Sequence, residues 1–191
     1  MKNQVLDIII PFVIATKNNR PIDSENSMVP QMGNTKYLLG QMIRQLWIPK
    51  NHYFISKKAQ MIWQQISTQD MFDYCYRHIV QCENDQEVSV NSYKNNSKTP
   101  HKLQVKSGDC FVYRDVFHDE HMTPVHDIIE RLLSLDIPDY ENVSKILNSI
   151  YICKMLKDED RVLYPKYNRP AEISQIIDKV YMPAGIEIIT N

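Results

Sequence analysis

Glycine is scarce in this sequence. There are four glycines in 191 residues, beside ten prolines, and that composition argues against a long disordered tail. The glycine-dependent signatures GxSxG, GxxxxGK[ST] and GxGxxG are missing, and so is HExxH, which removes the commonest hydrolase, nucleotide-binding and zincin readings. The four cysteines (Cys75, Cys82, Cys110 and Cys153) form no CxxC pair, so a zinc ribbon or knuckle is not expected. Their apolar contexts (FDYCYRHIV, GDCFVY, IYICKML) suit buried free thiols in a reducing compartment. No window approaches a membrane span. The N-terminal run VLDIIIPFVIA is broken by Asp7 and Pro11 and ends in TKNNR without a small-x-small cleavage site, so it reads as a buried strand and not as an export signal. A cytoplasmic protein with no membrane partner is expected. There is no repeat and no low-complexity segment.

An excess charge of one sign is also lacking, since the formal net charge is −1. The distribution is less even. Residues 1–58 carry eight lysines and arginines against Asp7, Asp23 and Glu25, and Lys94, Lys98, Lys102 and Lys106 follow in a stretch without acids. These cations form either a basic face for a polyanion or an ordinary solvated surface.

Hydrophobic spacing organises what is present. Residues 18–34 read as a loop. A helix is expected from Thr35, with Leu38, Leu39, Met42, Ile43, Leu46 and Trp47 on its apolar side and Pro49 as its stop. A second helix follows Ser56. A third fits Ser67-x-x-Asp70 as a capping box before Met71, Phe72, Cys75, Tyr76 and Ile79. Near Glu83 the period changes to two. Glu87–Tyr93, His101–Lys106 and Cys110–Phe117, separated by turns at 95–97 and 107–109, read as a short antiparallel meander. Helices return: one capped by Thr123 with Pro124 as its first residue, one capped by Asp139, and one from Asn168 through about Val180. Gly185 leads to a terminal strand. The fold expected is α+β, with N-terminal helices, a small antiparallel meander and a helical C-terminal half. It divides into a recognition portion, 1–86, and a second portion, 87–191, or forms one compact domain.

The chemistry is concentrated in His118-Asp119-Glu120-His121-Met122-Thr123-Pro124, between a strand end and a helix start. An acid beside a histidine lets the acid hold a divalent metal while the imidazole takes a proton from water. Other readings stand beside this one. Asp119 or Glu120 can serve as ordinary acids near a helix N-terminus. His118, His121 and His126 can together ligate zinc. Lys157–Arg161 (KDEDR) can be a solvated, internally paired helix face.

Glu120-His121-Met122-Thr123-Pro124-Val125 after an apolar strand resembles the (D/E)-H-I-x-P-L signature of the HNH, or ββα-metal, endonucleases. Asn148–Lys154 and Lys157–Arg161 resemble the closing half of that motif. The resemblance covers about 108–165 and implies a ββα-metal core binding Mg²⁺ or Mn²⁺. It implies His121 as general base, with Glu120 and either Asp160 or Asp158 as metal ligands and His118 as a further candidate. It also implies Asn148 or Asn142 as a brace for the loop and Arg161 and Lys157 toward phosphate. Lys98, Lys102 and Lys106 would add DNA contacts. The function expected is a metal-dependent DNA endonuclease of restriction, phage or mobile-element type, with a homodimer as a candidate assembly. The alternative is a non-catalytic binding protein, such as a phage-encoded inhibitor of a host or defence protein.

Overall fold

The computed structural model describes residues 2–18, 33–47, 53–94 and 97–189. The expected stop at Pro49, most of the 18–34 loop and the turn residues Asn95 and Asn96 lie outside them. The chain is an α+β protein that divides into two compact units, each assembled from separate stretches.

The first unit comprises 1–51, 123–150 and 167–169, and is helical. It holds α1 (Lys2–Lys17), α2 (Gly33–Leu46), α5 (Val125–Ser134) and α6 (Tyr140–Leu147). The N-terminal run is therefore a helix and not the expected strand. Leu6, Ile9 and Val13, at helical spacing, bury against Leu39 and Ile43 of α2 and Ile128 and Leu132 of α5. That packing outweighs both the strand preference of the β-branched residues and the loss of one helix hydrogen bond at Pro11. Gly40 allows α2 its close approach to α5, because a Cβ there would meet Ile129 Cδ1 at 3.2 Å. Asp139 caps α6 as expected, accepting from the Asn142 amide. Thr123 does not cap α5. Pro124 holds the cap position, and the Thr123 hydroxyl donates to the Ser149 carbonyl.

The second unit comprises 52–122, 151–166 and 170–191. Residues 52–86 thus lie with 87–122, on both sides of the boundary expected at 86. Its elements are β1 (Tyr53–Ser56), α3 (Lys57–Ile66), β2 (Ile79–Gln81), β3 (Val88–Ser92), β4 (His101–Val105), β5 (Cys110–Val112), α4 (Tyr113–Val116), β6 (Phe117–His121), β7 (Ile152–Leu156), α7 (Lys157–Val162), α8 (Ile173–Ile176) and β8 (Ile188–Ile189). The largest sheet has the order β6-β7-β1-β8. β7 runs parallel to β1, and the other pairs are antiparallel.

The meander is only partly realised. β3 and β4 pair as a hairpin, but β5 pairs with β2. The expected strand 110–117 breaks at α4 and resumes as β6. The expected helix over 67–79 reduces to a single 3-10 turn, Met71–Asp73, capped by Asp70, and Ile79 and Val80 join a strand. The expected helix from Asn168 begins at Ile173. Asn168 takes a left-handed conformation (φ 57°), and its amide and that of Arg169 both donate to the Asp127 carboxylate. Cys82 and Cys153 are buried, whereas Cys75 and Cys110 are exposed against expectation. No helix among the described residues is long and apolar enough to cross a membrane.

Candidate metal centre

Alternation along β6 separates the key stretch into two sets. Phe117, Asp119 and His121 share one face of the sheet, and His118 and Glu120 share the other. Their register partners on β7 alternate in the same way. Lys154 and Leu156 stand opposite Asp119 and Phe117, while Cys153 and Met155 stand opposite Glu120 and His118. Distinct cores cover the two faces. Phe117 and Leu156 belong to the cluster with Trp63 and Phe111, and Cys153 and Met155 to the cluster with Tyr181 and Val180.

His118 and Glu120 meet Asp160 of α7. One potential ligand atom from each lies within 4.8 Å of the others, and all three residues are partly exposed. His118 Nε2 is 3.4 Å from Glu120 Oε2. Burial of the ring works against its charged form. The hydrogen bond with Glu120 and the charges of Asp160, Glu120 and Asp119 outweigh that, and the His118 pKa stands above its ordinary value. Lys166 closes one side: its Nζ is 2.8 Å from Asp160 Oδ1 and also donates to the Asp160 carbonyl.

The short helix α7 is held from beneath. Glu159 is buried, and its Oε2 accepts from Ser56 Oγ at 2.5 Å and from the Leu156 amide at 3.0 Å. Its Oε1 is buried with no hydrogen-bond partner among the described residues. The KDEDR segment is thus more than a solvated face, because its central acid anchors the helix that carries Asp160. On the opposite face of β6, Asp119 Oδ1 accepts from Lys154 Nζ at 3.1 Å and from the Tyr113 hydroxyl at 3.0 Å.

The other expected site residues divide clearly. Asp158 points to the β3–β4 hairpin, where it accepts from Asn91 Nδ2 at 2.7 Å and from the Tyr93 hydroxyl. It is not a member of the three-residue cluster. His121 ends β6 beside Glu120, on the face that alternation assigns to Asp119, and is also outside the cluster. Asn142 and Asn148 lie in and at the end of α6 in the helical unit. Their amides donate to the Ile137 carbonyl and the Ser144 hydroxyl, so each serves its own helix. Arg161 is committed to the turn before β4. Its guanidinium donates to the carbonyls of Lys98 (2.6 Å) and Ser97 (2.7 Å) and lies 3.9 Å from the Tyr93 ring centre. Burial lowers the Lys157 pKa, and the neighbouring Arg161 and Arg114 act in the same direction. The side chains of Lys98, Lys102 and Lys106 are exposed, with Lys102 on β4 opposite Asn91 and Lys106 just past the strand.

Sequence reasoning missed Lys166, Lys154 and Glu159. A lysine inside the apolar run IYICKML was a signal available for Lys154. Nothing local marks Lys166, whose contact follows from the return of the chain after α7. Compared with protein-family models, with curated proteins and with solved structures, the chain matches none.

Proposed function

We propose that this chain is a divalent-cation-dependent DNA endonuclease of the HNH type, with its centre at His118, Glu120 and Asp160. The observation that carries the reading is the convergence of an imidazole and two carboxylates within 4.8 Å, on a strand end and an adjoining helix. This donor set fits Mg²⁺ or Mn²⁺, which take carboxylate oxygens and complete their shells with water. A cation held there supplies Lewis-acid stabilisation of phosphate and leaving-group oxygens. His121 lies on the face of β6 opposite Glu120 and outside the cluster, so no proton-accepting role at the centre is assigned to it. Glu159 and Ser56 hold α7 so that Asp160 keeps its position. Lys166 gives Asp160 a counter-charge at the edge of the centre.

The test is incubation of the purified protein with plasmid DNA and Mg²⁺ or Mn²⁺, with a chelated control. Cation-dependent cutting is expected, with loss of cutting and of cation binding in Glu120→Gln/Asp160→Asn. Intact plasmid with both cations sinks the reading.

A second reading has an observation of its own. Asp160 is already paired with Lys166, so it has a counter-charge from the chain itself, and Arg161 is spent on backbone carbonyls and not on the centre. A non-catalytic binding protein fits that arrangement. Cation-independent binding to a partner without cutting would favour it.

A further inference from the structure

A cavity of about 340 Å³ lies between α3 and the segment 67–72, in the second unit. We propose that it binds a single unstacked nucleobase. The inference goes beyond the metal-centre reading and does not depend on it.

Size comes first. The volume sits at the lower end of small-molecule sites, suited to one base or nucleoside and too small for a folded segment of a partner. The floor is apolar, formed by Ile55 and Met71. The half-buried Phe72 ring lines the cavity and offers an aromatic surface for stacking, an interaction that every base can make.

The wall is built in advance. Glu83 accepts from the Ser67 hydroxyl, from the amide and hydroxyl of Thr68, and from Gln69 Nε2. The Tyr74 hydroxyl donates to Gln69 Oε1, and the Trp63 indole donates to the Gln69 carbonyl at 2.7 Å. This network fixes residues 67–69 before any ligand arrives, which removes the ordering cost of binding.

Recognition groups remain at the rim. Gln60 and Gln64 are one turn apart on α3 and line the cavity, and their carboxamides make no hydrogen bond among the described residues. Among the described residues, Asp70 accepts through Oδ1 alone and Asn84 donates through Nδ2 alone. A carboxamide presents a donor and an acceptor side by side, the pattern that reads the edge of a base. Among the described residues, neutral amides with one acid, and no lysine or arginine, line this cavity, so it suits the base and not the phosphate of a nucleotide.

The experiment uses the intact protein and nucleosides, which have no bond for a nuclease to cut. The two tryptophans, Trp47 and Trp63, give separate indole N–H signals in NMR. Adenosine, guanosine, cytidine and thymidine are titrated to about 10 mM, with ribose as control. A saturable shift of the Trp63 signal with at least one nucleoside, without one for ribose, is the expected result. Gln60→Leu/Gln64→Leu should weaken that binding by about 5- to 100-fold through removal of two hydrogen bonds. Phe72→Leu should weaken it by about 5- to 150-fold through removal of the stacking surface. The glutamines are at least partly exposed, so their pair tests the site even if Phe72→Leu fails to fold. No shift with any nucleoside overturns the proposal. So does an equal shift with ribose, or unchanged affinity in the glutamine pair.

Discussion

Lys154 and Asp119 face each other across the β6–β7 ladder as register partners, with Lys154 Nζ 3.1 Å from Asp119 Oδ1. The lysine is only 1% exposed. Its ammonium also donates to the Tyr74 carbonyl at 2.6 Å and lies 5.1 Å from the Tyr113 ring centre. A carboxylate, a carbonyl and a ring face together offset the cost of keeping that charge out of water. Asp119→Ala leaves the buried cation without its counter-charge and is expected to cost about 3–5 kcal/mol in urea unfolding. Lys154→Met should cost less, since Asp119 is partly exposed and can be solvated. Equal losses in the two variants would show that the stranded charge of Lys154 is not the source of the Asp119→Ala cost.

His118 links the candidate centre to pH. Its folded pKa is raised above the unfolded value, so its contribution to stability is complete below the unfolded pKa and is lost as pH rises through the folded one. An NMR titration of Glu120→Gln should find the His118 pKa lower than in the wild type, because that variant removes the charge that accepts its hydrogen bond. Cation binding needs the neutral ring and should strengthen with rising pH over the same interval. A cation affinity that is flat across it would remove His118 from the ligand set.

Glu83 has the opposite sign. The bond from the Thr68 amide leads those that hold its carboxyl down to about 2 from 4.5. Its contribution is therefore present above the unfolded pKa of 4.5 and lost as pH falls through about 2. Glu83→Gln should lower the melting temperature near neutral pH, with the difference from wild type vanishing near pH 2. The Thr68 amide should also lose protection from hydrogen exchange. Unchanged Thr68 exchange in the variant would mean that the 67–69 wall is held by the Trp63 indole bond and not by Glu83.

The lysines of the β3–β4 hairpin test how a chain of net charge −1 could hold DNA. Lys98, Lys102 and Lys106 are exposed, and Arg161 fixes the backbone at Ser97 and Lys98. Replacing all three lysines with Gln should weaken DNA binding uniformly across sequences. It should also flatten the dependence of log K on log salt by about 0.9 for each phosphate that is no longer neutralised. An unchanged slope would mean that these lysines only solubilise the hairpin.

The sequence by itself determined the features whose causes are local. α3 begins after Ser56 because its hydroxyl accepts from the Ala59 amide, and α6 begins after Asp139 for the same reason. The α+β class, the apolar stripe of α5, and the alternation of β3 and β4 follow from spacing alone, whereas Leu38 and Leu46, expected on the apolar side of α2, are exposed. The resemblance left Asp160 and Asp158 as alternatives beside Glu120, and the fold set Asp160 in the cluster and turned Asp158 to the β3–β4 hairpin. Only the tertiary structure decided the rest. Whether VLDIIIPFVIA is strand or helix depended on partners for Leu6, Ile9 and Val13, which α2, α5 and α6 supply. The partner of β5 was β2 and not its neighbour in sequence, because hydrogen bonding across a sheet is blind to chain order. The same holds at the centre. Strand alternation set His118, and not His121, on the face of Glu120, and Lys166 reached Asp160 through the turn of the chain after α7. A charge pattern records which groups exist. Which of them meet, and at what distance, is set by backbone pairing between segments far apart in the chain.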